Sequence, residues 1–423
     1  MADFGSLRGV KERQFVSPKP IQAFIATISD HYIGGVLTIP RPKLSRIFPL
    51  ALGHMSCDLT QGALPILLPF FMSQHHINYT AAATIIFASN LVSTVSQPLL
   101  GYLSDRRSRP WLIPLGILLA NLGFCCAGIA PSYGLILVAV SVSGLGVATF
   151  HPEGARQAHR MAGDKKATIM SLFTLGGQFG FALGPLLATA LLLRSGLSGT
   201  LYFVLPGLLI ATFLFARPHM LSGAKEINVH ADASPKPGRG RDDWRSFLCL
   251  SGAAVSRSVV FYGLNTFLPL YWLNVLNQSK AVSGTALTIL VTASMIGNVL
   301  GGRIADRIGY RVAVVIEFAL LACFLPFLPF TSSVAVATFL LIPIGILLSA
   351  PSSSIVVLGQ GYLPNHVGFS AGITMGLAFS FGGIVTPVLG WIADHYGLQA
   401  AVMTVAVFPL ISTGLALALP RKK

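Results

Sequence analysis

Gly101-Tyr-Leu-Ser-Asp105-Arg106-Arg107-Ser-Arg109 ends one long apolar stretch, and Gly302-Arg-Ile-Ala-Asp306-Arg307-Ile-Gly-Tyr-Arg311 ends another 201 positions later. In both, a glycine precedes an aspartate by four residues and arginines follow. A second correspondence supports the first: Gly180 to Pro185 is matched by Gly382 and Gly383 to Pro387 at about the same displacement. Two matches at one offset read as an internal duplication.

Outward from these segments the chain is built of apolar runs. It has 423 residues, of which 53% are hydrophobic and 10% charged. A soluble domain carries about 25% charged residues, so this chain lacks the polar side chains to cover a wet surface, and its apolar residues must face lipid. A membrane-crossing helix needs about 20 mostly apolar residues. Runs of that kind predict helices near 47–71, 81–103, 111–130, 133–154, 167–193 and 200–216, and again near 246–274, 281–302, 312–330, 334–356, 366–389 and 398–419. The predicted fold is an all-α membrane protein with twelve transmembrane helices in two pseudo-symmetric six-helix bundles.

The net charge of +15 would suggest nucleic acid in a soluble protein. Here its distribution assigns it to topology. Arg41, Lys43, Arg46, Arg106, Arg107, Arg109, Arg160, Lys165, Lys166, Arg217, Arg303, Arg307, Arg311, Arg421, Lys422 and Lys423 fall on one side of the predicted spans, and only Arg194 and Lys280 on the other. The positive-inside rule then predicts a membrane protein with both termini cytoplasmic and no nucleic-acid partner. The expected organisation is a peripheral segment 1–44, a six-helix bundle 45–217, a polar linker 218–244, a second bundle 245–420 and a tail 421–423. Ile21–Pro40 is moderately apolar but contains Asp30 and His31, so no span is placed there, and an upstream start codon chosen in annotation is a second explanation of 1–44. Cys57, Cys125, Cys126, Cys249 and Cys323 lie in or beside apolar runs without metal-ligand spacing and read as packing residues.

Ionisable residues inside a membrane are costly and are functional candidates by default. In the first predicted helix, His54, Asp58 and Gln61 share one face at spacings of four and three. A carboxylate beside an imidazole can load and release a proton, which makes Asp58 and His54 candidates for proton coupling; a structural hydrogen-bonded pair is the alternative. The fourth helix is read as ending in Phe150-His151-Pro152-Glu153-Gly154. Pro152 predicts a kink, with His151 and Glu153 either lining a cavity or marking an ordinary charged helix end. Arg257 falls near the middle of the seventh helix, ahead of Tyr262 and Asn265. A guanidinium grips phosphate or carboxylate bidentately, so Arg257 is a candidate anion-binding residue or else a fixed partner for Asp58 or Glu153. Gln61, Tyr262 and Asn265 are candidate substrate contacts; Asn90, Gln97 and Asn298 are secondary ones. Glu317 lies near a helix end and is expected to snorkel or pair with a loop arginine. Gly180 and Gly184, with Pro185, predict close helix packing. No metal-ligand or nucleophile constellation appears; His75-His76 lacks a third ligand. Hence no enzyme, metal or cofactor is expected, the energy source being a proton gradient.

The Gly-x-x-x-Asp-Arg-x-x-Arg element, with its echo, resembles the signature loop of the major facilitator superfamily from about residue 45 to the end. The resemblance implies that Gly101, Asp105, Arg106 and Arg109, with Gly302, Asp306 and Arg307, latch one conformation of an alternating-access cycle. Gly180 to Pro185 partly resembles an element of drug–proton antiporters, with Ala188 and Thr189 in place of two glycines. His54-x-x-x-Asp58-x-x-Gln61-Gly62-Ala63-Leu64-Pro65, His151-Pro152-Glu153-Gly154 and Arg257-Ser258-x-x-x-Tyr262-Gly263-Leu264-Asn265 closely resemble the fosmidomycin resistance protein family. That implies a bacterial inner-membrane, proton-coupled exporter of small anionic or amphiphilic drugs such as phosphonates; a monomer is expected. Proton-coupled uptake of an organic acid or sugar is the main alternative, and a membrane-embedded enzyme or receptor a remote one.

Overall fold

The computed structural model describes residues 41–106, 109–162, 166–221, 241–366, 369–370, 373–374 and 378–420. Arg46–Lys423 forms one compact unit. Residues 1–40 of the expected peripheral segment and most of the expected linker lie outside the described residues, as do the side chains of Asp105 and Arg106, while residues 41–44 open the first helix.

Among the described residues the helices are α1 (Arg41–His75), α2 (Tyr79–Arg106), α3 (Leu112–Ile129), α4 (Tyr133–Ala162), α5 (Lys166–Ser195) and α6 (Val204–Ala216). The second set is α7 (Trp244–Asn274), α8 (Lys280–Ile308), α9 (Tyr310–Phe324), α10 (Val334–Tyr362), α11 (Ala378–Tyr396) and α12 (Leu398–Leu417). Short 3₁₀ segments precede α6 at Gly196–Phe203 and follow α9 at Leu325–Phe330. Nine stretches of the described residues are long and apolar enough to cross a membrane, and one of them, Ile169–Ala216, contains both α5 and α6. The other two helices, α1 and α11, carry the polar and glycine-rich stretches that dilute such a run.

The outer surface is apolar, as lipid requires, and a minority of polar side chains lies inside. Large apolar side chains such as Leu99, Val138, Leu209, Phe339 and Leu410 stand exposed on outer helix faces, while Glu153, Gln157, Arg257 and Asn265 are buried inside. The packing pattern repeats. Helix α2 packs on α4 as α8 packs on α10, and α3 packs on α4 and α6 as α9 packs on α10 and α12. The two sets meet through α2 with α11 and α5 with α8.

Several helices outrun the apolar stretches that define them. Helix α4 does not end near Glu153 but continues through Pro152 to Ala162, its last two turns carrying Arg156, His159 and Arg160. A polar helix end satisfies its own backbone in water as well as in lipid, so hydropathy marks the membrane and not the helix. Helix α10 is interrupted at Ala350, between Val334–Ser349 and Pro351–Tyr362, where Pro351 lacks the N–H that would continue the ladder.

A Cβ at Gly101 would meet only Pro152, at 3.8 Å, and one at Gly302 would lie 3.7 Å from Ser353. Neither glycine is a site of close backbone approach in this state. The tight crossings lie elsewhere: a Cβ at Gly180 would fall 2.1 Å from the Met55 carbonyl oxygen, and one at Gly184 2.5 Å from that of Leu59, so α1 and α5 touch backbone to backbone.

Candidate functional site

The crossing of α1 and α5 fixes what lies beside it. His54 and Asp58 stand one helical turn apart on α1, and α4 brings His151 to the same point. The Asp58 carboxylate lies 3.3 Å from His54 Nε2 through Oδ2 and 3.2 Å from His151 Nε2 through Oδ1. The two Nε2 atoms are themselves 3.2 Å apart. Each ring is oriented by its other nitrogen: His54 Nδ1 sits 2.8 Å from the Phe173 carbonyl oxygen and His151 Nδ1 2.8 Å from that of Val147. A carbonyl only accepts, so both Nδ1 atoms carry hydrogen and donate it.

That leaves two imidazole lone pairs and a carboxylate facing one another. Such an arrangement repels itself unless a positive charge is shared between them. A proton on either Nε2 supplies it, donated at once to the carboxylate and towards the neighbouring ring. Phe173 stacks on His54 with ring centroids 4.3 Å apart and closes one side. Gly177 closes another, since a Cβ there would lie 2.4 Å from His54 Nε2 and 2.6 Å from Asp58 Oδ2. Sequence reading missed both residues. The Gly176-Gly177 doublet inside an apolar helix was the available signal for the second; nothing marked Phe173.

The same three side chains place their ligand atoms within 4.8 Å of one another, close enough to hold a metal ion. Spacing along the sequence could not show this, because the third member arrives from another helix.

Glu153, two residues beyond His151, is turned to a different face. It is fully buried, accepts from Gln157 Nε2 at 3.1 Å and faces Arg156 Nη1 at 3.9 Å. Gln61, Tyr262 and Asn265 share one cavity of about 30 Å³, room for a water molecule or two, between α1, α2, α5 and α7. Asn90 also lines it, and Asn265 Oδ1 and Thr266 Oγ1 have no hydrogen-bond partner among the described residues.

Arg257 does not line that cavity. It is 4% exposed, and its Nη1 donates to the Leu348 carbonyl oxygen at 3.1 Å and to Ser352 Oγ at 3.2 Å, on either side of the break in α10. Glu317 is buried and meets no arginine among the described residues. It is 5% exposed, and neither carboxylate oxygen has a hydrogen bond among the described residues. At the signature segments, Asp306 accepts from Tyr310 Oη at 2.7 Å, and Arg311 donates to the Leu417 and Leu419 carbonyls that end α12.

Similarity to known proteins agrees with this architecture. The chain is 30% identical over 389 residues to the uncharacterised MFS-type transporter YfnC of Bacillus subtilis, covering 88% of this chain and 93% of the relative. It is 28% identical over 379 residues to the fosmidomycin resistance protein of Escherichia coli, covering 88% and 92%. A bacterial homologue of the human lysosomal transporter Spinster superposes with a TM-score of 0.77 at 15% identity over 90% of this chain and 97% of its own. The Major Facilitator Superfamily pattern matches residues 50–387. This multi-pass membrane chain, a transporter of small molecules and not an enzyme, belongs to the major facilitator superfamily.

Proposed function

We propose that the protein is a proton-coupled exporter of small anionic or amphiphilic compounds, fosmidomycin-like phosphonates among them, working as a monomer by alternating access in a bacterial inner membrane. The basic ends of the helices face the cytoplasm in this reading, with both termini on that side. The observation that carries the proposal is the meeting of His54, Asp58 and His151 with both Nδ1 atoms already committed to backbone carbonyls. A buried cluster that needs a shared proton to hold its geometry changes its packing when the proton leaves. That supplies the link between protonation and conformation that an antiporter requires. The likeness to the fosmidomycin resistance protein motivates the cargo, and Arg257 offers a buried guanidinium able to exchange α10 contacts for an anionic group in another state.

The experiment uses purified protein in proteoliposomes with fosmidomycin as probe and a pH-sensitive dye inside. A drug gradient is expected to move protons in the opposite direction, and Asp58→Asn to abolish that movement while drug binding persists. Protons moving in the same direction as drug would assign uptake instead. No drug-linked proton movement, together with saturable zinc binding that Asp58→Asn removes, would assign the cluster to a metal.

A further inference from the structure

The segment Gly390-Trp-Ile-Ala-Asp394-His-Tyr-Gly397 repeats the pattern of Gly302-Arg-Ile-Ala-Asp306-Arg-Ile-Gly309, down to the shared Ile-Ala-Asp. The likeness is also conformational. Gly309 and Gly397 both end their helices in left-handed backbone, at φ 90° and φ 87°, where a side chain is disfavoured. Yet the two segments sit at opposite ends of the helices: the first follows α8 among the arginines, the second closes α11 at the far end.

There, Asp394 does something that neither α8 nor α11 needs for itself. Its Oδ1 accepts from the Tyr79 N–H at 2.8 Å, and its Oδ2 accepts from the Thr80 N–H at 3.0 Å and from the Thr80 hydroxyl. Tyr79 and Thr80 are the first residues of α2. The opening N–H groups of a helix have no partner within it and carry the positive end of its dipole, so an aspartate is the side chain they favour. Helices α7, α8 and α10 obtain this cap from the residue immediately before them, Asp243, Ser279 and Ser333. Helix α2 has a local cap as well, Asn78 Oδ1 accepting from the Ala81 N–H at 2.9 Å. Its two remaining donors are taken by a carboxylate from the other set of six helices.

We propose that Asp394 is the latch of this end of the transporter, a helix cap lent across the two halves in the state where this end is shut and withdrawn when it opens. The surroundings fit a separable seam. One turn back on the same face, Gly390 lets α11 lie against α2 so closely that a Cβ would fall 2.8 Å from Thr80 Cα and the Tyr79 oxygen. Asn274 Nδ2 donates to Tyr79 Oη at 3.0 Å, and the Lys280 ammonium lies 4.0 Å from the centre of the Phe70 ring. These join the first six helices to the last six through a close backbone approach, a hydrogen bond and a cation–ring contact. The pseudo-equivalent seam between α5 and α8 has the close approach, Gly284 on Thr189, but Leu193 stands 201 positions before Asp394. The latch is therefore one-sided.

The test is a distance measurement between spin labels at Ser132 and Ser332. These are exposed residues in corresponding loops of the two halves at this end, labelled in a full-length chain whose native cysteines are replaced and which still transports. The ratio of open to shut populations is expected to rise on the order of tenfold in Asp394→Asn, as for loss of a charged hydrogen bond. A smaller rise is expected for Asp394→Glu. Gly390→Ala leaves the carboxylate intact and should raise the same ratio by prying the helices apart, so the test does not depend on one variant folding. Unchanged ratios in Asp394→Asn and Gly390→Ala, with or without a lower melting temperature, would overturn the latch and leave Asp394 a stabilising cap only. The readout involves no proton or drug movement, so its failure is separable from failure of the proposed coupling.

Discussion

The duplicated halves tie the same pair of helices together with opposite chemistry. In the first half α1 reaches α4 through Asp58 and His151; 201 positions on, α7 reaches α10 through Arg257 and Ser352. The place of His151 is taken by Ser352, and the place of Asp58 by the buried Val259. One tie joins a carboxylate to an imidazole that can carry a proton, the other a guanidinium that stays charged to a hydroxyl that never ionises. Under the proposed coupling, a duplication that kept the tie while dividing its chemistry gives one half a protonation-dependent joint and the other a fixed one. The tie itself is then architecture, and the residue types at its ends decide what it responds to.

The largest expected effect comes from breaking the first joint. His151→Gln and Asp58→Asn should each remove drug-linked proton movement in proteoliposomes, because each deletes one of the bases that share the proton. Ser352→Ala, the corresponding change in the second half, should leave that movement in place while lowering the melting temperature slightly. Proton coupling that survives His151→Gln but fails in Ser352→Ala would reverse the division of labour.

Next is the fixed joint. Arg257→Ala strands the Leu348 carbonyl beside the break in α10 and should cost about 2–3 kcal/mol of stability, as for hydrogen bonds to a charged group. Arg257→Lys keeps the charge but not the planar fork and should fall between. If Arg257 also receives anionic cargo, Arg257→Lys should weaken fosmidomycin binding by more than its melting temperature explains, measured by titration at equal protein abundance.

How far these joints could be read from the sequence depends on where their parts come from. His54, Asp58 and Gln61 lie on one helix, so spacing alone put them on a common face. The paired Gly-x-x-x-Asp segments revealed the duplication because their residues are contiguous. Close packing at Gly180 and Gly184 could be expected, but not which side chains meet between helices. His151 and Glu153 are neighbours in sequence and equal as candidates, but the rotation of α4 sends one to Asp58 and the other to Gln157. Arg257 lies near the middle of α7 as read, yet position along a helix does not say which neighbour a side chain faces, and it faces a break in α10 that only the fold creates. Gly177 went unread beside Gly180 and Gly184, because the space it leaves is filled by a cluster that only the fold assembles. This suggests a sharper test of the first joint. Gly177→Ala adds a single methyl where His54 and Asp58 already stand, and overpacking of that kind costs about 1–3 kcal/mol. It should impair proton coupling more than it impairs folding, whereas Gly180→Ala, on the bare α1–α5 crossing, should do the reverse. Comparing the melting temperature and proton flux of the two variants separates the roles.

The smallest effect concerns caps, and it sharpens the contrast between a cap that belongs to its own helix and one lent across the halves. Asp243 precedes α7 and accepts from the Ser246 N–H at 3.0 Å and from the Ser246 hydroxyl. The Ser246 hydroxyl, followed by its N–H, holds the Asp243 carboxyl below the usual range. A group whose folded pKa is lowered stabilises the fold above its unfolded value, near 3.9, and loses that contribution as pH falls through the folded value. Asp243→Ala should therefore lower stability by about 1 kcal/mol at neutral pH, the usual loss for an N-cap. The difference from the parent should stay constant down to about pH 5 and close below pH 4. Because donor and acceptor lie in the same half, the substitution should leave the spin-label distances between Ser132 and Ser332 unchanged. A shift in that ratio would mean that any weakened helix end loosens the transporter, and the special place of Asp394 would be lost.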